Sequence, residues 1–247
     1  MEPTSSLPVL PEEMLVEVAI RVAASSCSSM ADLRCLRGAC TLVRDKVCGA
    51  PLVRCSLNLG RALWQSEDAE TSERLMANTY AAGNLEAIFI KGMRGFFGHH
   101  GGALQAPLDD LDQATHGGHR PAAYMLAMVL WRANSGTEAD LRAKQLLAEV
   151  ADDDPAIVIC SDRWVSDLRL HAFAALWMFV WPPNSPQPAP VPGPVPRDDD
   201  HQCASHLGWC GTPAGHDRSF HCSYFCSDKC RIRSLCDNTF QRLGIVR

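Results

Sequence analysis

The residues best suited to chemistry are gathered in the last fifth of the sequence. Cys203, Cys210, Cys222, Cys226, Cys230 and Cys236 lie close together, with His201, His206, His216 and His221 among them. Thiolate and imidazole are zinc ligands; zinc takes four of them in a tetrahedron, and the binding energy becomes folding energy. A segment this short rarely folds on a hydrophobic core alone and needs a metal or disulfides. The opening of the chain is acidic and lacks a basic start before an apolar run, so no secretory signal is read there. Clustered cysteines without such a signal favour metal over disulfides. The expected site is structural, since residues 201–247 contain no glutamate to serve beside a catalytic zinc.

Elsewhere the chain offers no catalytic set. It has no GxSxG, no phosphate loop and no paired acid and base at motif spacing, so it is read as no enzyme. Cys27, Cys35, Cys40, Cys48, Cys55 and Cys160 are scattered through apolar sequence and are expected to be buried thiols. Asp152, Asp153 and Asp154 form a solvated loop, because no oxygen-ligand loop surrounds them. Phe96 to Gly102, with His99 and His100, reads as a loop between helices. A net charge of -5 argues against a general nucleic-acid binder. The longest apolar run, Ala172 to Trp181, is about half of the ~20 residues a membrane span requires. The localisation expected is therefore cytoplasmic or nuclear.

Phe225-Cys226-Ser227-Asp228-Lys229-Cys230 resembles the "[FY]CSxxC" segment of MYND-type and related treble-clef zinc fingers. The resemblance implies that Cys226 and Cys230 form one ligand pair and that Cys203 and Cys210 supply the other, around one Zn²⁺. Cys222 remains an alternative to one of these four. A second zinc, if present, would draw on Cys222, Cys236 and His216 or His221.

At the other end, residues 10–22 form one amphipathic helix. Pro11 suits the first helical position, and Glu12 and Glu13 suit the positive end of the helix dipole. Glu17 and Arg21 are spaced i, i+4 with the acid first, the better order. The apolar residues cover a wider arc than packing on one core needs, so a second surface must cover part of it. Leu10-Pro11-Glu12-Glu13 with Leu15, Glu17 and Val18 resembles the start of an F-box. Ala31 to Cys40 stands where that family has its "DLxxLRxVCK" helix, and residues 43–47 would be the third helix. The resemblance covers residues 7–50. It implies a three-helix module that docks on a Skp-type adaptor, and so on a cullin scaffold. Leu10, Pro11, Leu15, Val18, Ile20, Val22, Leu33 and Leu36 are the implied adaptor-binding residues.

Residues 51–70 are transitional, with Pro51 stopping a helix and 52–59 either extended or helical. Residues 71–181 read as helical throughout and contain an internal repeat. Gly83-Asn84-Leu85-Glu86-Ala87 reappears at an offset of 35 as Gly118-His119-Arg120-Pro121-Ala122. At that offset Phe89 pairs with Tyr124, Gly92 with Ala127, Met93 with Met128, and Phe96 with Trp131. The pattern resembles tetratricopeptide-like repeats found beside F-boxes in plant proteins. Helices at 138–150 and 166–181 would cap the stack. Proline fills eight of fifteen positions from Pro182 to Pro196, so 182–200 is read as a semi-rigid linker before a zinc module at 201–240. The expected fold is mainly α. Taken together, the resemblances imply a substrate-recognition subunit of an SCF-type ubiquitin ligase that recruits an unidentified protein target. The alternative is a scaffold or transcription-associated protein with no ubiquitin link.

Overall fold

The computed structural model describes residues 10–39, 41, 43–64, 68–98, 105–150, 162–175 and 227–242. Among the described residues every regular element is helical. The chain divides into two compact units, Met1–Ile88 and Phe89–Arg247.

In the first unit, α1 (Glu12–Ser25) starts behind Pro11, whose carbonyl accepts from the N–H groups of Met14 and Leu15 at 3.0 and 3.2 Å. Pro11 is therefore the N-cap, one position before the place the sequence implied. It has no side chain to cap with, so Glu12 and Glu13 provide the favourable charge. Arg21 reaches Glu17 at 2.8 Å, the pair expected from spacing. α2 (Ser29–Ala39) starts two residues before Ala31. The reason is Ser26, whose Oγ accepts from the Ser28 N–H at 3.0 Å and donates to Asp32 Oδ2, folding the connector into a turn. One turn of π-helix follows at Val43–Val47. α1, α2 and this turn pack mutually around Ala19, Ala23, Val43 and Val47.

Pro51 does not merely stop a helix. It occupies the first turn of α3 (Pro51–Cys55), and α4 (Leu59–Trp64) comes next, so the transitional stretch is largely helical. The Asn58 N–H donates to Ala23 O at 3.0 Å, fastening the α3–α4 turn to the end of α1. Asp68 caps α5 (Ala69–Ala81) by accepting from the Thr71 N–H at 2.6 Å.

The repeat seen in the sequence is a repeat of hydrogen bonds. After α5, the Gly83 and Asn84 N–H groups return to Tyr80 O and Thr79 O at 2.9 and 3.0 Å. Thirty-five residues on, after α7 (Gln105–His116), Gly118 and His119 return to Thr115 O and Ala114 O at 2.9 and 3.0 Å. Both are Schellman ends, and both need a left-handed residue, supplied by Gly83 at φ +81 and Gly118 at φ +87. The following residue then caps the next helix. Asn84 Oδ1 accepts from Ala87 N–H for α6 (Leu85–Gly98), and His119 Nδ1 accepts from Ala122 N–H for α8 (Arg120–Ala133).

In the second unit, α8 is buried on every side. Residues 122–129 are all buried, as are Trp131 and Arg132. α7, α9 (Thr137–Val150), α10 (Asp162–Ala175) and α11 (Asp228–Arg242) all pack on it. The paired positions Phe89 and Tyr124, and Met93 and Met128, are fully buried. Gly92 and Gly95 let α7 lie against α6. A Cβ on Gly95 would come 2.6 Å from Pro107 Cγ, and one on Gly92 would come 3.0 Å from Leu111 Cγ. Phe96 and Phe97, read from sequence as loop, are the last turn of α6 and meet edge to face at 4.8 Å. Their aromatic bulk is drawn into packing, and Phe97 is buried.

Candidate docking site

α1 has two apolar faces with different fates. Ala19 and Ala23 are wholly buried, while Leu10, Met14 and Val18 are 39, 54 and 42% exposed. Their i, i+4, i+8 spacing aligns them along one side of the helix and its leading residue. Leu10 and Val18 are among the eight positions implied to meet an adaptor; Met14 is not one of them. Pro11 is exposed, and Leu15, Ile20, Val22, Leu33 and Leu36 are half-buried. None of the eight is consumed by the core of the unit. Glu12 is drawn to Lys46 at 3.8 Å at the edge of this surface.

Beside it in the same unit is a pocket of about 310 Å³. Its rim carries Arg34 and Arg37 from α2, Arg44 from the π-turn and Arg54 from α3, and apolar side chains such as Leu33, Leu57 and Leu75 form its floor. Arg34 and Arg37 are three apart and so share a helix face. Arg54 belongs to a helix fixed from behind by Asn84, which is buried. Asn84 Nδ2 lies 3.1, 2.8 and 2.9 Å from the carbonyls of Arg54, Cys55 and Leu57. The Cys48 thiol also lines the pocket and donates to Leu33 O at 3.9 Å. Burial pushes this thiol up from its ordinary pKa, against the pull of Arg37, which keeps it protonated at neutral pH. Nothing in the motif-based reading pointed to this pocket. The signal available was charge: from Leu33 to Ser66 the sequence has six basic residues and one acid.

The scattered cysteines depart from expectation. Cys27 and Cys35 are exposed, and Cys48 and Cys55 half-buried. Cys27 lies in the α1–α2 turn and Cys35 on the outer side of α2. Cys55 lies at the end of α3, its thiol 3.6 Å from Gly83 O. Cys40 and Cys160 lie outside the described residues.

Of the four cysteines implied to hold zinc, Cys203, Cys210 and Cys226 lie outside the described residues, as do Cys222, His216, His221 and the proline-rich segment. Cys230 stands in the first turn of α11, half-buried, with its N–H 3.3 Å from Ser227 Oγ. Cys236 is different. It is buried, and its thiol is 3.8 Å from Met128 O on α8. Tyr124 OH meets Thr239 Oγ1 at 2.6 Å, and the Arg132 guanidinium lies 4.0 Å above the Phe240 ring. Helix 228–242, assigned from sequence to the cysteine module, is thus also a wall of the helical unit around α8.

Residues 60–168 match the family described as plant tetratrico peptide repeats. The middle of the chain is a helical repeat region. The match runs from α4 into the first half of α10 and takes in α9. No curated protein and no solved structure matches the chain. Among the described residues, no helix is long and apolar enough to cross a membrane.

Proposed function

We propose that the protein is the substrate-recognition subunit of an SCF-type ubiquitin ligase, docking on a Skp-type adaptor through α1 and recruiting a protein target through its repeats. The observation that carries this reading is the exposed row of Leu10, Met14 and Val18, on a helix whose opposite face is packed into a three-helix unit. An apolar face rimmed by polar residues marks an interaction surface, and the half-buried Leu15, Ile20 and Val22 extend it. A helical repeat region in the same chain suits protein–protein contact, because stacked helices present an extended surface. In this role the chain supplies proximity, which is itself a large part of the rate; ubiquitin transfer belongs to other subunits.

A structural zinc held by Cys203, Cys210, Cys226 and Cys230, or with Cys222 in place of one, belongs to the same proposal. The metal's contribution is folding energy.

The test is co-purification of the full chain with a Skp-type adaptor, beside a Met14→Asp, Val18→Asp variant, with bound zinc measured in both. Both residues are exposed, so the variant keeps its helical fold. The reading requires that the wild type retains the adaptor, that the variant loses it, and that both carry one zinc per chain. Absence of adaptor binding by the wild type overturns the ubiquitin-ligase role and leaves a protein-binding scaffold.

A further inference from the structure

The arginine-lined pocket of the first unit shares Leu33 with the docking face, but its arginines have no part in the docking role. We infer that it is a binding site for a phosphate monoester with an apolar body. Four arginines line one concavity: Arg34, Arg37, Arg44 and Arg54. One carboxylate serves them: Asp45 lies 2.8 Å from Arg44, and the charge of Arg37 also acts on it. Among the described residues, Arg34, Arg37 and Arg54 make no hydrogen bond or ion pair through their guanidinium groups. In a chain with 28 acids and 23 Lys and Arg, four arginines and no acid among the residues lining one pocket are a local inversion of charge. Like charges held this close repel one another unless an anion lies among them.

The chemistry of the walls selects the anion. Guanidinium groups bind phosphate and carboxylate through paired N–H donors. Several arginines lining one cavity favour a dianion over a single carboxylate. The floor of Leu33, Leu57 and Leu75 asks for an apolar group behind the charge. A volume of about 310 Å³ admits a ring or short chain with one phosphate. The walls are prepared in advance. Asn84 fixes the carbonyl end of α3 that carries Arg54, so little ordering is left for the ligand to impose. The neutral Cys48 thiol places no competing anion in the pocket. The phosphate has two possible sources, a small molecule or a phosphorylated side chain of a protein target, and the arms of the experiment separate them.

The experiment is titration calorimetry of the full chain at low salt with phenyl phosphate, inorganic phosphate and a short phosphotyrosyl peptide. It is repeated on Arg34→Gln, Arg37→Gln and on Arg54→Gln, with Arg21→Gln on α1, outside the pocket, as control. The site requires saturable one-to-one binding of phenyl phosphate that is tighter than that of inorganic phosphate. The double variant should bind at least about tenfold more weakly, Arg54→Gln should also weaken it, and Arg21→Gln should match the wild type. Tighter binding of the peptide than of phenyl phosphate assigns the source to a protein side chain; equal or weaker binding assigns it to a small molecule. No saturable binding to the wild type, or equal affinity in wild type and double variant, overturns the site. The outcome is independent of adaptor binding, so this inference and the docking role can fail separately.

Discussion

α1 and α8 are both fourteen-residue helices rich in apolar residues, and they end in opposite circumstances. α8 is enclosed by α7, α9, α10 and α11, so its central turns are buried all round. α1 packs one side on α2, the π-turn and α3, and leaves Leu10, Met14 and Val18 to solvent. Composition does not separate the two cases. What separates them is whether the chain supplies enough neighbouring helices. Where it does, the helix is structural; where it does not, the uncovered face is available to another molecule.

Two methionines make the contrast measurable. Met128 is fully buried on α8 and Met14 largely exposed on α1. Met128→Ala should cost about 2–5 kcal/mol through lost burial and the cavity left behind, while Met14→Ala should stay within about 0.5 kcal/mol of the wild type. Urea unfolding of both variants checks this, and equal losses would erase the distinction between the two helices. Asn84→Ala comes next. It leaves the carbonyls of Arg54, Cys55 and Leu57 without their donor and removes the α6 cap, for about 1–3 kcal/mol. The same unfolding assay reads it, and a neutral result would mean that α3 is not held by this residue.

A smaller effect, about 0.5–1.5 kcal/mol, is expected for Tyr124→Phe, which removes the buried hydroxyl contact with Thr239. Faster amide exchange along α11 should report it; unchanged exchange would show that α11 does not depend on this contact. The smallest effect concerns Asp68. Its hydrogen bond from the Thr71 backbone holds the carboxyl below its ordinary pKa. A depressed folded pKa gives stability that is present above the unfolded value and lost as pH falls through the folded one. The protection factors at the start of α5, with the intrinsic pH dependence of exchange divided out, should therefore fall on acidification in the wild type but not in Asp68→Asn. Identical profiles would remove the cap from the account.

The sequence carried the repeat well, because its signal is local. A glycine, a polar cap and a large residue recur at an offset of 35, and each has one structural task that the following helix makes visible. It carried the two-sided character of α1 for the same reason, through periodicity. Other features rest on chain reversals that no short window contains. Asn84 spans to carbonyls 27 to 30 residues earlier. Arg34, Arg37, Arg44 and Arg54 come together only when α2, the π-turn and α3 fold onto one another. Cys236 looked like a ligand in reserve because it lies among cysteines, yet α8 buries it. Phe96 and Phe97 looked like loop because glycines and histidines follow them, yet packing extends α6 through both. Pro51 was read as a stop, when the first turn of a helix accommodates it equally well.

The most direct test of the docking claim is hydrogen–deuterium exchange of the full chain with and without a saturating Skp-type adaptor. The account predicts new protection along residues 10–22 and around Leu33 and Leu36, with exchange in α8 unchanged. Protection that appears over α7 to α9 and spares α1, or no change anywhere, would contradict it.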